Sequence, residues 1–250
     1  MSGLLARRRA SAQDGFTLIE LIVAMTIGMV ILGSATMITI GAARHNTEVA
    51  SRTDATQRAR LATDRMQRLL RSEVCVFSSA DNTVKSWPMT LAKPDQVVFY
   101  ADLSGGTTTY QHTLTYDATA KTLTDKAQQV TATNPIALAP ASRTEILATG
   151  VNRNTTGANP TGAIFRFYGY PQTTTGILQP NLELVPPTLG LSATDLKRIA
   201  RVDLDFLAVG NTKLTTNIVS EGTDQIFVRI ANPNGISDGS PRNPYDPVCA

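Results

Sequence analysis

Gly15-Phe16-Thr17-Leu18-Ile19-Glu20 leads into an apolar run, Leu21 to Ala43, that contains no charged residue. A bilayer core about 30 Å thick is crossed by about 20 apolar residues at 1.5 Å of rise each. The run therefore predicts a membrane-length helix. Ahead of it lies a polar leader carrying Arg7, Arg8 and Arg9, and basic flanks of this kind stay on the cytoplasmic side. The bulk of the chain is then expected on the opposite side. One carboxylate, Glu20, stands just inside the start of the helix. An ionised acid beside hydrocarbon needs a partner or must neutralise, which makes Glu20 a functional candidate.

Two plain readings leave Glu20 without a role. A secretory signal peptide would be cut after small residues, and Gly33-Ser34-Ala35 or Gly41-Ala42-Ala43 fits that pattern loosely, although the apolar run is long for one. An ordinary membrane anchor is the other. The hexapeptide from Gly15 to Glu20, set between a basic leader and an apolar helix, resembles the processing site of type IV pilins. Type II secretion pseudopilins and competence pilins are close relatives. The likeness is confined to the N-terminal segment. It implies cleavage after Gly15 by a prepilin peptidase/methylase at the cytoplasmic face, with Phe16 as the new, N-methylated terminus. It also implies that Glu20 pairs in a fibre with the Phe16 amine of a neighbouring subunit. Each charge would offset the desolvation of the other, and the pair would fix axial register. The implied location is a single-pass inner-membrane protein with its C-terminal domain outside the cytoplasm, later part of a pilus or pseudopilus fibre. The implied partners are the peptidase, other pilins or pseudopilins, the inner-membrane assembly platform and the membrane itself. Many major pilins carry a proline in the membrane segment, and this chain has none before Pro88, which points away from a major pilin.

Helical patterning continues past Ala43. Ala55, Ala59, Ala62, Met66 and Leu69 recur at spacings of four, three, four and three, which forms one apolar stripe. Glu48–Arg52, Asp54–Arg58 and Asp64–Arg68 place an acid four residues ahead of a base, the favourable order on a helix. One helix from Phe16 to Arg71, on the order of 80 Å long, is expected. Its second half is rich in arginine (Arg44, Arg52, Arg58, Arg60, Arg65, Arg68, Arg71). Without interleaved aromatic residues this reads as a solvated face, and no specific nucleic-acid partner is expected.

Beyond Val74 the composition shifts to Thr, Asn, Gly, Pro and short β-branched runs. Strands are predicted at Gln96–Ala101, Thr107–Tyr116, Lys121–Thr124, Glu145–Val151, Ala163–Tyr168, Arg198–Val209 and Asp224–Ala231, with a hairpin loop at Asp117–Ala120. In the run to Val209, Val202, Leu204, Phe206 and Ala208 face one way and Arg201, Asp203, Asp205 and Leu207 the other, as in a half-buried antiparallel strand. Pro135–Ser142, Asn152–Gly162 and Pro171–Pro187 read as long loops. The expected fold class is α+β, a pilin-like lollipop whose long N-terminal helix packs on a C-terminal antiparallel sheet domain. The expected divisions are a leader at 1–15, a transmembrane and filament-core helix at 16–43, an amphipathic helix half at 44–74, and a β-rich exported domain at 75–250. The GFTLIE start, the arginine-rich run from Arg65 to Arg71 and the late strand pair resemble PilW-type minor pilins and J-type pseudopilins.

Cys75 and Cys249 are the two cysteines. In an exported domain an even pair reads as a disulfide, which would tie the chain end to the base of the helix; two free thiols are the alternative. His45 and His112, the two histidines, have no companion at ligand spacing. No GxSxG, HExxH or phosphate loop occurs, so neither an enzyme, a metal centre nor a cofactor is expected. Asp238 to Asp246 carries oxygen ligands without the EF-hand spacing, and reads as a turn-rich tail ahead of a calcium loop. The formal charge of +3 implies no partner. The expected function is a minor pilin that joins a pilus-like fibre or primes its assembly. The alternatives are a type II secretion pseudopilin and a membrane-anchored exported binding domain.

Overall fold

The computed structural model of the chain describes residues 16–78, 80, 83–103, 108–156, 159–169, 182–186, 189–210 and 219–228. Helix α1 (Leu18–Arg71) opens the fold. Four strands follow: β1 (Val76–Phe77), β2 (Val84–Ser86), β3 (Met89–Lys93) and β4 (Gln96–Ala101). Next come β5 (Tyr110–Asp117), β6 (Thr122–Thr133), β7 (Ile136–Thr149) and β8 (Val151–Arg153). After β9 (Phe165–Gly169) and β10 (Leu182–Leu184), the short helix α2 (Ala193–Leu196) precedes β11 (Ile199–Val209) and β12 (Val219–Phe227). The chain forms two compact units, residues 1–49 and 50–250.

Within the second unit, two antiparallel five-stranded sheets share a core with the end of α1. The first is a meander in the order β3-β4-β5-β6-β7; in the second, β10-β9-β11-β12 are neighbours and β8 also pairs with β11. The chain passes from one sheet to the other at Gly150, the single residue between β7 and β8. Gly150 has φ of 67°, and a Cβ there would lie 3.1 Å from the Val209 carbonyl oxygen, so glycine is required on both counts. The Val209 N–H donates to the Gly150 carbonyl at 2.8 Å and the Val151 N–H to that of Lys121 at 2.9 Å, which joins the two sheets at this point.

The expected stripe is the buried face of α1: Ala55, Ala59, Ala62, Met66 and Leu69 are all at most 2% exposed. Small alanines let the helix approach closely, and Met66, Leu69 and Leu70 reach the cluster of Phe99, Leu114, Leu123, Phe165, Phe167 and Phe206. Polar contacts fix the docking. Arg58 donates to the Thr149 carbonyl in the first sheet (3.3 Å) and to the Val209 carbonyl in the second (3.4 Å). Asp54 holds the same guanidinium; among the described residues this is the one of the three expected i,i+4 pairs that closes. The alternation along β11 is as expected, with Val202, Leu204, Phe206 and Ala208 inside.

The strands depart from expectation in several places. Pro135–Ser142 is no loop: apart from Pro135, it forms the start of β7, whose hairpin with β6 turns at Asn134-Pro135. Pro140 is tolerated because β7 is an edge strand and its register shifts there: Gln128 pairs with Ser142 but Val130 with Leu138. β6 accordingly runs on to Thr133, far past the expected Thr124. Asn152–Gly162 begins with two residues of β8. Leu182–Leu184, inside the expected loop at Pro171–Pro187, pairs with β9; the greater part of that loop lies outside the described residues. The final strand spans Val219–Phe227, ending before the expected Ala231.

Candidate functional site

The residues that would carry assembly lie where α1 begins. Thr17 precedes the helix and acts as its N-cap: its Oγ1 accepts from the Glu20 N–H at 3.3 Å, and its carbonyl accepts from the Leu21 N–H at 3.2 Å. The spacing Thr17-x-x-Glu20 is that of a capping box, and it places an acid in the first turn, where the helix dipole favours negative charge. Thr17 is a contributor that the motif itself contained, through the Thr-x-x-Glu spacing, and that attention to Glu20 alone passes over. The Glu20 side chain is exposed and, among the described residues, makes no hydrogen bond or ion pair. Phe16, 82% exposed, stands two residues before the first helical residue.

From 21 to 43 the helix presents apolar side chains on all sides. Leu21, Ile22, Val23, Met25, Ile27, Met29, Val30, Ile31, Leu32, Met37, Ile38 and Ile40 are each at least 47% exposed. Leaving a dozen such side chains in water would forfeit on the order of 20 kcal/mol of transfer free energy. The polar side chains of this stretch are satisfied by the helix itself. Thr26, Ser34 and Thr36 donate to the carbonyls of Val23, Ile31 and Gly33, and Thr39 donates to that of Ala35, all at 2.8–2.9 Å. Such internal satisfaction is what hydrocarbon demands, since no water is present there to complete a hydrogen bond. α1 is long and apolar enough to cross a membrane.

The other residues singled out in the sequence are scattered. Gly15 and Cys249 lie outside the described residues, as does the tail around Asp238 to Asp246. Cys75 is half-buried immediately ahead of β1. His45 is exposed on α1, whereas His112 is buried in β5 with its Nδ1 3.0 Å from both carboxylate oxygens of Asp125 in β6. That companion is thirteen residues away in sequence and only strand pairing brings it near, so no local spacing reveals it.

The family described as the prokaryotic N-terminal methylation motif matches residues 10–36. That span takes in Gly15 and Phe16, the cap, Glu20 and the first part of the apolar helix, and it supports a protein of type IV pilin or pseudopilin kind. No curated protein and no solved structure matches the chain.

Proposed function

We propose that this chain is a prepilin, cut after Gly15, N-methylated at Phe16 and inserted into a pilus-like fibre as a minor pilin that primes or caps assembly. The observation that carries this reading is the coincidence, on one helix, of an exposed carboxylate at Glu20 with an apolar surface that needs a bilayer or a protein core around it. The methylation motif falls on the same residues. Before assembly, 21–43 spans the inner membrane, with the second unit outside the cytoplasm. After extraction the same surface is buried among the helices of neighbouring subunits. Glu20 then meets the Phe16 amine of an adjacent subunit, and the loss of hydration of each ion is offset by the other. The prepilin peptidase, other pilins and the inner-membrane platform are the partners this requires. Proteins bearing such a motif are in general structural, and no catalytic role is assigned here. A disulfide between Cys75 and Cys249 would tie the end of the exported domain to the foot of α1.

A type II secretion pseudopilin would use the same N-terminal residues in the same way. Neighbouring genes separate the two, since a retraction ATPase and a major pilin accompany the first and a secretin with further pseudopilins the second. The assembly role itself is tested with Glu20→Ala, expressed in the native host beside the parent chain. The expected result is normal abundance in the membrane and loss from sheared fibres. Undiminished recovery in the fibre fraction would sink the pairing of Glu20, and with it the main support for the reading.

A further inference from the structure

Away from the N-terminal segment, the second unit holds a cavity of about 570 Å³, within the roughly 300–1,000 Å³ range of small-molecule sites. Arg65 of α1, Tyr110 and His112 of β5, Asp125 of β6, and Arg143 and Glu145 of β7 contribute to its walls. The space exists because β7 bulges. Ala139, Pro140 and Ala141 together oppose Gln129 alone, and the small side chains of Ala127, Ala139 and Ala141 do not fill the gap.

The chemistry gathered there exceeds what packing needs. His112 and Asp125 have side chains only 5% and 4% exposed, and burying a carboxylate–imidazole pair is costly compared with an apolar pair of the same volume. Asp125 occupies the Nδ1 side of the ring, which leaves Nε2 without a hydrogen-bond partner among the described residues. Phe99 stacks on the imidazole at 5.7 Å between centroids, 19° from parallel, which holds the ring plane. Arg65 and Arg143 both reach Glu145 Oε2, at 3.3 and 3.2 Å. One carboxylate leaves most of their ten N–H donors unused, and Arg65 Nε is buried without a partner. Tyr110 supplies an aromatic wall, 6.4 Å from the imidazole centroid.

We propose that this cavity binds a small, monosaccharide-sized carboxylate that also carries hydroxyl groups, the chemistry of a uronic acid. A hydroxyl, able to donate or accept, hydrogen-bonds to His112 Nε2, the carboxylate accepts from Arg65 and Arg143, and the carbon skeleton lies against Ala127, Ala141 and Tyr110. The site is independent of the assembly reading, since none of these residues belongs to the N-terminal unit.

The test uses the full-length chain in detergent, labelled with ¹³C at the histidine Cε1 position. Two ring signals result, because the chain contains two histidines; His112→Gln assigns them, and His45 serves as the internal reference. D-glucuronate is expected to shift the His112 signal saturably and leave His45 in place. Glucose, which lacks the carboxylate, and phenylacetate, which lacks the hydroxyl donors, are each expected to bind at least about tenfold more weakly. Arg143→Glu, at a side chain 75% exposed and so compatible with folding, is expected to weaken glucuronate at least about tenfold. An unmoved His112 signal overturns the proposal. So does an equal response to glucose or phenylacetate, or undiminished binding by Arg143→Glu.

Discussion

Gly222 offers the sharpest test of how the two sheets meet their shared core. It lies in β12 directly across from Phe206 of β11, and the Phe206 ring covers it. A Cβ added at Gly222 would stand 2.6 Å from Cζ, 2.8 Å from Cε2 and 2.9 Å from Cε1 of that ring. Carbon atoms prefer separations of about 3.5–4.0 Å, so Gly222→Ala obliges the ring to withdraw by about 1 Å. Phe206 is fully buried among Met66, Phe165 and Phe167 in the same cluster, and a close-packed interior has no slack of that size. Overpacking of this kind costs about 1–3 kcal/mol. Against it stands the reduced chain entropy of alanine in a strand, worth about 0.5–1 kcal/mol. The expected net loss is about 0.5–2 kcal/mol, or a fall in Tm on the order of 1–8 °C for a unit of this size. Urea titration read by the fluorescence of Trp87, the one tryptophan, measures it. Phe206→Leu removes the clashing ring edge, so the double variant should lose about 1 kcal/mol less than the sum of the singles. A Gly222→Ala protein as stable as the parent, with additive behaviour in the double variant, would refute this packing.

Two further expectations concern the foot of α1. Glu73 is fully buried, and the loss of hydration pushes its carboxyl well above the ordinary value of 4.5. The folded chain therefore keeps a proton that the unfolded chain has released; the associated stability is complete below about pH 4.5 and falls as pH rises toward the folded value. Glu73→Gln should flatten the decline in urea midpoint as pH rises above about 4.5, and an identical decline in both proteins would contradict the assignment. If Cys75 and Cys249 are joined, Cys249→Ser should abolish the mobility difference between reduced and unreduced protein. In the loop-entropy picture it should also lower stability by roughly 5 kcal/mol, and a parent chain whose mobility ignores reductant excludes the bond.

The helix was the most legible part of the fold, because its stripe from Ala55 to Leu69 repeats with the helical period and nothing else explains that spacing. β11 was legible for the same reason at period two, and β4 as a short run of β-branched and aromatic residues. The β6–β7 hairpin was not. Residues from Pro135 to Ser142 are rich in proline and alanine and look like a connection, yet an edge strand that bulges at Pro140 accepts them. Strands of two or three residues, such as β1, β2 and β10, are too short to show alternation. At the candidate site, Glu20 stood out because charge and hydropathy change abruptly there, and Phe16 through the resemblance of the hexapeptide to a pilin processing site. His112 and Asp125 did not, since their meeting depends on the register of β5 against β6. The cavity beside them depends on a register shift one strand further on, which no local pattern encodes.

The mature N-terminus, determined by mass spectrometry on protein purified from the membranes of its own host, tests the central claim most directly. The expected result is a chain that begins at N-methylated Phe16, with residues 1–15 gone. An intact leader in a host with an active prepilin peptidase, or a cut after Ala35 or Ala43, would contradict it and leave an anchored or secreted domain in place of a fibre subunit.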